Sequence, residues 1–258
     1  MGKGLRITLG ILGGIAAASF LFWLLYPGLP AYLIVNRTCT YQDTVLQDYP
    51  YSNEGTPADW VPVAENGLQI SLPASVKKVE REGLEKLSAK IYTNTDVAEG
   101  ENADPAVVFM DNSDLPKMEF IGENGFTQEQ FDRGMRGIRT EKPENNYAFW
   151  RMLYNVTPKD YNYHKHGTWR FYSQLMQMKE EMYPAIGGSG YHFETENAKG
   201  FVLNYGKPER ANEYYALLIE LYDKNNLDRR CSAIVKSKDE TMLHQIANSA
   251  QIVPEQGA

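Results

Sequence analysis

The chain is short of most signatures by which a sequence announces its chemistry. Its 258 residues include only two cysteines and four histidines. No HExxH pair, CxxC pair, glycine-rich phosphate loop or complete EF-hand is present, and no motif calls for a cofactor. "IGGSGYH" falls short of a nucleophile elbow because Tyr191 stands where the final glycine belongs. There is no basic run either: all 33 acidic residues lie beyond Val35, against 24 of the 26 basic ones. That part of the chain carries about −9, which disfavours nucleic acid as a partner.

What is abundant is apolar and aromatic. Lys3 and Arg6 precede an uncharged run from Ile7 to Tyr26. As a helix it would span roughly 30 Å, the thickness of a bilayer core. A lipoprotein leader is excluded, because Asn36, Arg37 and Thr38 precede Cys39 where small residues are required. A cleavable signal could use Ala16 and Ala18, but the cut would fall inside the apolar run, since "FLFWLLY" follows. An uncleaved anchor is the reading, with cleavage as the alternative. The flanking charges place the N-terminus in the cytoplasm and the C-terminal part outside, and Trp23 and Tyr26 suit the headgroup layer. Pro27 and Pro30 break the helix, leaving "AYLIV" in the interface or against the domain. Gly10, Gly14 and Ala18 share a small-xxx-small face, which offers packing for a homodimer.

The expected organisation is a cytoplasmic N-terminus over 1–6, a transmembrane signal anchor over 7–26 and an interface segment with stalk over 27–63. An extracytoplasmic domain follows over 64–253, then a tail over 254–258. Within the domain, Leu68, Ile70 and Leu72 alternate with polar residues in a strand that Pro73 ends. "LSAKIYTNT" and "AVVFM" are further strands. "GYHFETE" pairs with "GFVLNYG", and "EYYALLIELYD" with "DRRCSAIVKS", as two hairpins. Helices are expected at "TQEQFDRGMRGI", with a Thr127–Gln130 capping box, at "NYAFWRMLYN" and at "GTWRFYSQLMQMKEEMY". In the last of these, Trp169, Tyr172, Met176 and Tyr183 make the apolar side. A terminal helix with a Ser237–Glu240 capping box buries Leu243, Ile246, Ala247 and Ala250. The fold class is α+β: an antiparallel sheet flanked by helices, preceded by one transmembrane helix.

The opening strand "GLQISLP", the run of antiparallel strands and the terminal "LHQIANSAQIV" together resemble the PsbP-like superfamily over Gly67 to Val253. The resemblance implies an α-β-α sandwich with binding or assembly roles and supplies no catalytic residue. The helical stretch from Thr127 to Tyr183 is longer than that family leads one to expect.

"YNYHKHGTWR" is the densest segment for function. His164 and His166 would point the same way in an extended segment and could share a metal, with His192, Asp160 or Glu194 as a third ligand. A solvated loop beside an aromatic core explains the same residues. Tyr161, Tyr163, Trp169 and Arg170 are the candidate ligand-binding set, suited to stacking on a sugar or gripping an apolar protein patch. Cys231 reads as a lone buried thiol, with a Cys39–Cys231 disulfide as the alternative. The functional reading is a membrane-anchored extracytoplasmic binding or assembly domain of a bacterial cell envelope. Its partner would be an envelope protein or a cell-wall glycan. The alternative is an anchored hydrolase, metal-assisted through His164 and His166.

Overall fold

The computed structural model describes residues 15–52, 55–79, 89–94, 104–112, 120–122, 125–183, 189–206 and 214–253. It is a mixed α+β chain that divides into two units. Unit 1 draws on Met1–Asp43, Ile121–Lys142 and Val156–Glu180; unit 2 on Thr44–Phe120, Pro143–Asn155 and Glu181–Ala258.

Unit 1 is helical. Helix α1 (Ile15–Leu25) and helix α2 (Leu29–Thr38) are bent by 73° at the Pro27–Gly28 break. Among the described residues no single helix is long and apolar enough to cross a membrane, although this bent pair passes that test together. Helix α3 (Gln128–Met135) starts at the expected box: the Thr127 side chain accepts from Gln130 N and the Gln130 side chain accepts from Thr127 N. Its inner face, Phe131 and Met135, meets the long helix α5 (Trp169–Met182). There Phe171 lies between Phe126 and Phe131, with ring centroids 4.6 and 5.8 Å away. Gly134 makes that approach feasible, because a Cβ there would fall 2.0 Å from the Phe171 ring. A 3-10 turn at Pro158–Asp160 is capped by a Thr157–Asp160 pairing.

Unit 2 is built on an eight-stranded sheet. Its strands are β1 (Gln47–Asp48), β4 (Val76–Val79), β5 (Lys90–Asn94), β6 (Ala106–Met110), β7 (Ser189–Glu194), β8 (Ala198–Gly206), β9 (Tyr215–Asp223) and β10 (Asn226–Ser237). They run in the order β1-β7-β8-β9-β10-β6-β5-β4, antiparallel except for the β1–β7 pair. A second sheet joins β2 (Val61–Glu65), β3 (Leu68–Leu72) and β11 (Gln251–Ile252).

Strand β9 shows how the layers form. Leu217, Ile219 and Leu221 face one way, into a core with Phe109, Val235 and the buried face of helix α6 (Glu240–Asn248). On the other side Tyr222 meets Tyr147, and Glu220 accepts from Tyr154, both on helix α4 (Asn146–Asn155). Both faces of the sheet are therefore covered, which is why "ALLIELY" reads as a nearly continuous apolar run. The expected antiparallel sheet flanked by helices is what this unit contains.

Two local differences have physical causes. Residues 61–63, read as the end of a stalk, belong to β2, which pairs with β3 across Asn66 and Gly67. Both turn residues have positive φ, 52° and 79°, as a two-residue type I′ turn demands. The cap of α6 is Asp239 rather than Ser237: its carboxylate accepts from Thr241 N and Met242 N, while Ser237 Oγ accepts from Asp239 N. Cys39 and Cys231 are both free thiols, and Cys231 is buried in β10.

Candidate functional site

In unit 1, the residues singled out by "YNYHKHGTWR" gather around the end of α1. A helix leaves its last carbonyls without intrahelical partners. Here two side chains supply them. His164 donates from Nδ1–H to the Leu25 carbonyl at 2.8 Å, and His166 donates from Nε2–H to the Leu24 carbonyl at 3.0 Å. A carbonyl can only accept, so the contacting ring nitrogen of each histidine carries a proton. Aromatic rings close the collar: Trp23 lies edge-on to His166 at 5.8 Å, and Tyr26 lies 5.0 Å from His164. Tyr163 sits between Tyr26 and Tyr32, at 6.1 and 5.6 Å.

The backbone at the bend is equally committed. Gly28 N–H donates to the Tyr163 carbonyl at 2.8 Å. A Cβ on Gly28 would fall 2.1 Å from the Tyr161 hydroxyl, so only glycine allows the chain to pass so close. Tyr161 itself lies inside the unit, 2% exposed, stacked on Tyr172 at 4.0 Å and paired with Thr168 Oγ1 at 3.3 Å. Burial pushes its hydroxyl pKa upward. Tyr163 is half-buried in the collar. Trp169 is 44% exposed, with the Arg170 guanidinium 5.2 Å from its ring.

Two of the candidate third ligands are engaged elsewhere. The Asp160 carboxylate accepts from Thr157 N and Thr157 Oγ1. In unit 2, Glu194 forms an ion pair with Lys224 at 2.8 Å. No group of three or more His, Cys, Asp and Glu residues is arranged to hold a metal ion among the described residues.

The sequence reading did not anticipate the grip on the chain leaving α2. Glu180, on α5, accepts from Thr40 N and Tyr41 N, both at 3.0 Å. The adjacent Lys179 is fully buried and donates to the carbonyls of Val156 at 2.6 Å and Gln42 at 3.3 Å. Burial lowers its pKa to about 8, against the opposing pull of Asp43 and Asp160. Nothing in "QMKEEM" distinguishes this lysine from a solvated one; only the tertiary fold does.

Unit 2 has its own concavity, a hollow of about 290 Å³ lined by Tyr49, His192, Phe193, Glu194, Asn248 and Gln251. Behind it His244 is buried, with Nδ1 2.8 Å from the Tyr49 hydroxyl and its ring stacked 3.5 Å from Tyr51. Burial drives the His244 pKa down to about 4. His192 is also shifted down, by burial first and then by the Arg151 charge, with Asp48 opposing. Of the lining residues only His192 and Glu194 were singled out by sequence, and then as metal ligands. Across the sheet, Glu220 is buried and accepts from Tyr222 at 3.0 Å, Arg230 at 3.0 Å and Tyr154 at 3.3 Å. A lone acid in "LLIELY" was the visible signal for that network.

No family model, curated protein or solved structure matches the chain.

Proposed function

We propose that this protein is a single-pass, membrane-anchored binding or assembly protein of a bacterial cell envelope. Its N-terminus lies in the cytoplasm and its α+β unit faces an envelope protein or a cell-wall glycan outside. The observation that carries the reading is α1: from Phe20 to Leu25 every side chain is apolar or aromatic and 45–62% exposed. A packed soluble protein would have buried such a stretch, whereas hydrocarbon would solvate it. The collar supports the same reading, because helix-end carbonyls in lipid need protein partners and tyrosine and tryptophan favour the headgroup layer.

The PsbP-like likeness belongs to this proposal, supported by a mostly antiparallel sheet with α4 on one face and α6 on the other. Binding is favoured over the metal-assisted hydrolase because, among the described residues, no third His, Cys, Asp or Glu joins His164 and His166 in an arrangement that could hold a metal ion. A homodimer through Gly10, Gly14 and Ala18 is also part of the reading. Ala18 lies exposed on α1, while Gly10 and Gly14 lie outside the described residues.

The test is extraction of membranes with alkaline carbonate, followed by protease treatment of intact cells and of cells with a permeabilised outer layer. The expected result is retention in the membrane, with residues beyond Val61 digested only after permeabilisation. Release of the full chain into the supernatant would overturn the anchor. A pull-down comparing the wild type with Tyr163→Ala and Trp169→Ala should show weaker capture of the partner or glycan by the variants; equal capture removes that surface.

A further inference from the structure

The outer face of α2 is apolar. Ala31 and Val35 turn inward and are buried, whereas Pro30, Leu33, Ile34 and Arg37 share the outward stripe at i, i+3, i+4 and i+7. Leu33 is 57% exposed and Ile34 61%, and the helix contains no acidic residue. The helix thus presents small side chains to the protein and large apolar ones outward, the reverse of a soluble surface helix.

Both ends of α2 are held, so the stripe cannot roll inward. At the start, Gly28 is bonded to Tyr163 and packed on Tyr161. At the end, Glu180 and Lys179 fix Thr40, Tyr41 and Gln42. Only Tyr26, Pro27 and Gly28 separate α2 from α1. Three residues span about 10 Å at most, so α2 cannot leave the surface of a bilayer that α1 enters. With α1 near the membrane normal, a 73° bend lays α2 within about 20° of the membrane plane.

We infer that α2 is an in-plane interfacial helix, its Pro30–Leu33–Ile34 stripe seated among the lipid headgroups and upper acyl chains beside α1. This rests on the anchoring proposal above. Arg37, at the polar end, can extend its guanidinium to lipid phosphate while its stem stays over the apolar stripe. The inference concerns one occupant, lipid, because the tether to α1 keeps this face at the bilayer whether or not a protein partner is bound.

The test uses the full chain carrying Cys39→Ser and Cys231→Ala, reconstituted in phosphatidylcholine–phosphatidylglycerol nanodiscs. Nitroxide labels are placed singly through Leu33→Cys, Ile34→Cys, Phe20→Cys and Lys165→Cys, with circular dichroism confirming that each variant folds. Labels at Leu33 and Ile34 should show an oxygen-to-nickel accessibility ratio several-fold above that at Lys165 and below that at Phe20. If they match Lys165 while Phe20 stays in hydrocarbon, the inference fails and the anchor stands. Aqueous readings at Phe20 as well would remove both. Dipolar broadening between copies at Leu33 and Ile34 would assign the stripe to a second copy and overturn the lipid reading.

Discussion

The two units handle apolar surface in opposite ways. In unit 2, Phe109, Ile219, Leu221 and Val235 have no exposed area, and each face of the sheet is covered by a helix. The hydrophobic surface there is satisfied by the unit's own side chains. Unit 1 has a small aromatic core of Phe126, Phe131, Phe171 and Tyr172, yet it leaves α1 and the outer stripe of α2 uncovered. The same residue types, leucine, isoleucine and phenylalanine, thus define an interior in one region and a surface in the other. Their exposure measures which solvent each region is built for.

The sharpest way to break the comparison is to damage the self-contained region. Phe109→Ala should cost about 4 kcal/mol, the usual penalty for emptying a fully buried aromatic site, read as a lower urea midpoint with faster amide exchange in β6, β9 and β10. An unchanged midpoint would mean that this core is not what stabilises the unit.

Acid should act next. His244 is held neutral in the fold, with its pKa lowered from 6.5 to about 4. Its contribution is therefore fully present above pH 6.5 and is lost as the pH falls through the window toward 4, by about 3 kcal/mol at most. His244→Gln should flatten the fall in stability between those limits; a parallel curve would assign it to other groups.

Gly28→Ala tests the bend in unit 1, at a cost of about 2 kcal/mol from overpacking, read by exchange of α5 amides. Because the Tyr161 hydroxyl is the nearest obstacle, Tyr161→Phe should recover part of that loss in the double variant. Strict additivity of the two substitutions would show that the close approach is not the cause. Smallest of all, Asp239→Ala should destabilise α6 by about 1 kcal/mol by freeing the amides of Thr241 and Met242. A melting curve identical to that of the wild type would leave Ser237 as the relevant cap.

Local patterns were the legible part of the fold. The alternation at Leu68, Ile70 and Leu72, the Thr127–Gln130 box and the β9–β10 hairpin all depend on neighbours in sequence, so reading along the chain recovers them. The Asn66–Gly67 turn carries an equally local signal, a strong hairpin dipeptide, and joins β2 to β3, where the alternation at Leu68 alone suggests only the start of a strand. The burial of Lys179, the pairing of the two histidines with α1 carbonyls and the Tyr49–His244 contact join residues from 23 to 195 positions apart. No window of sequence contains both partners. For the histidines, the residue types and their density were visible, but the groups they bind were not.

The rims of the large sheet bear on how copies of this protein meet one another. Its outermost described strands are β1, only two residues long, and β4, whose "VKKV" places Lys77 and Lys78 as exposed charges along the edge. An open strand is a template for another chain, and shortness and lysine are two ways of spoiling it. On the anchoring proposed above, tethering would confine copies to two dimensions and raise their collision frequency. Blunted rims would then let copies crowd together without their sheets joining edge to edge into fibres.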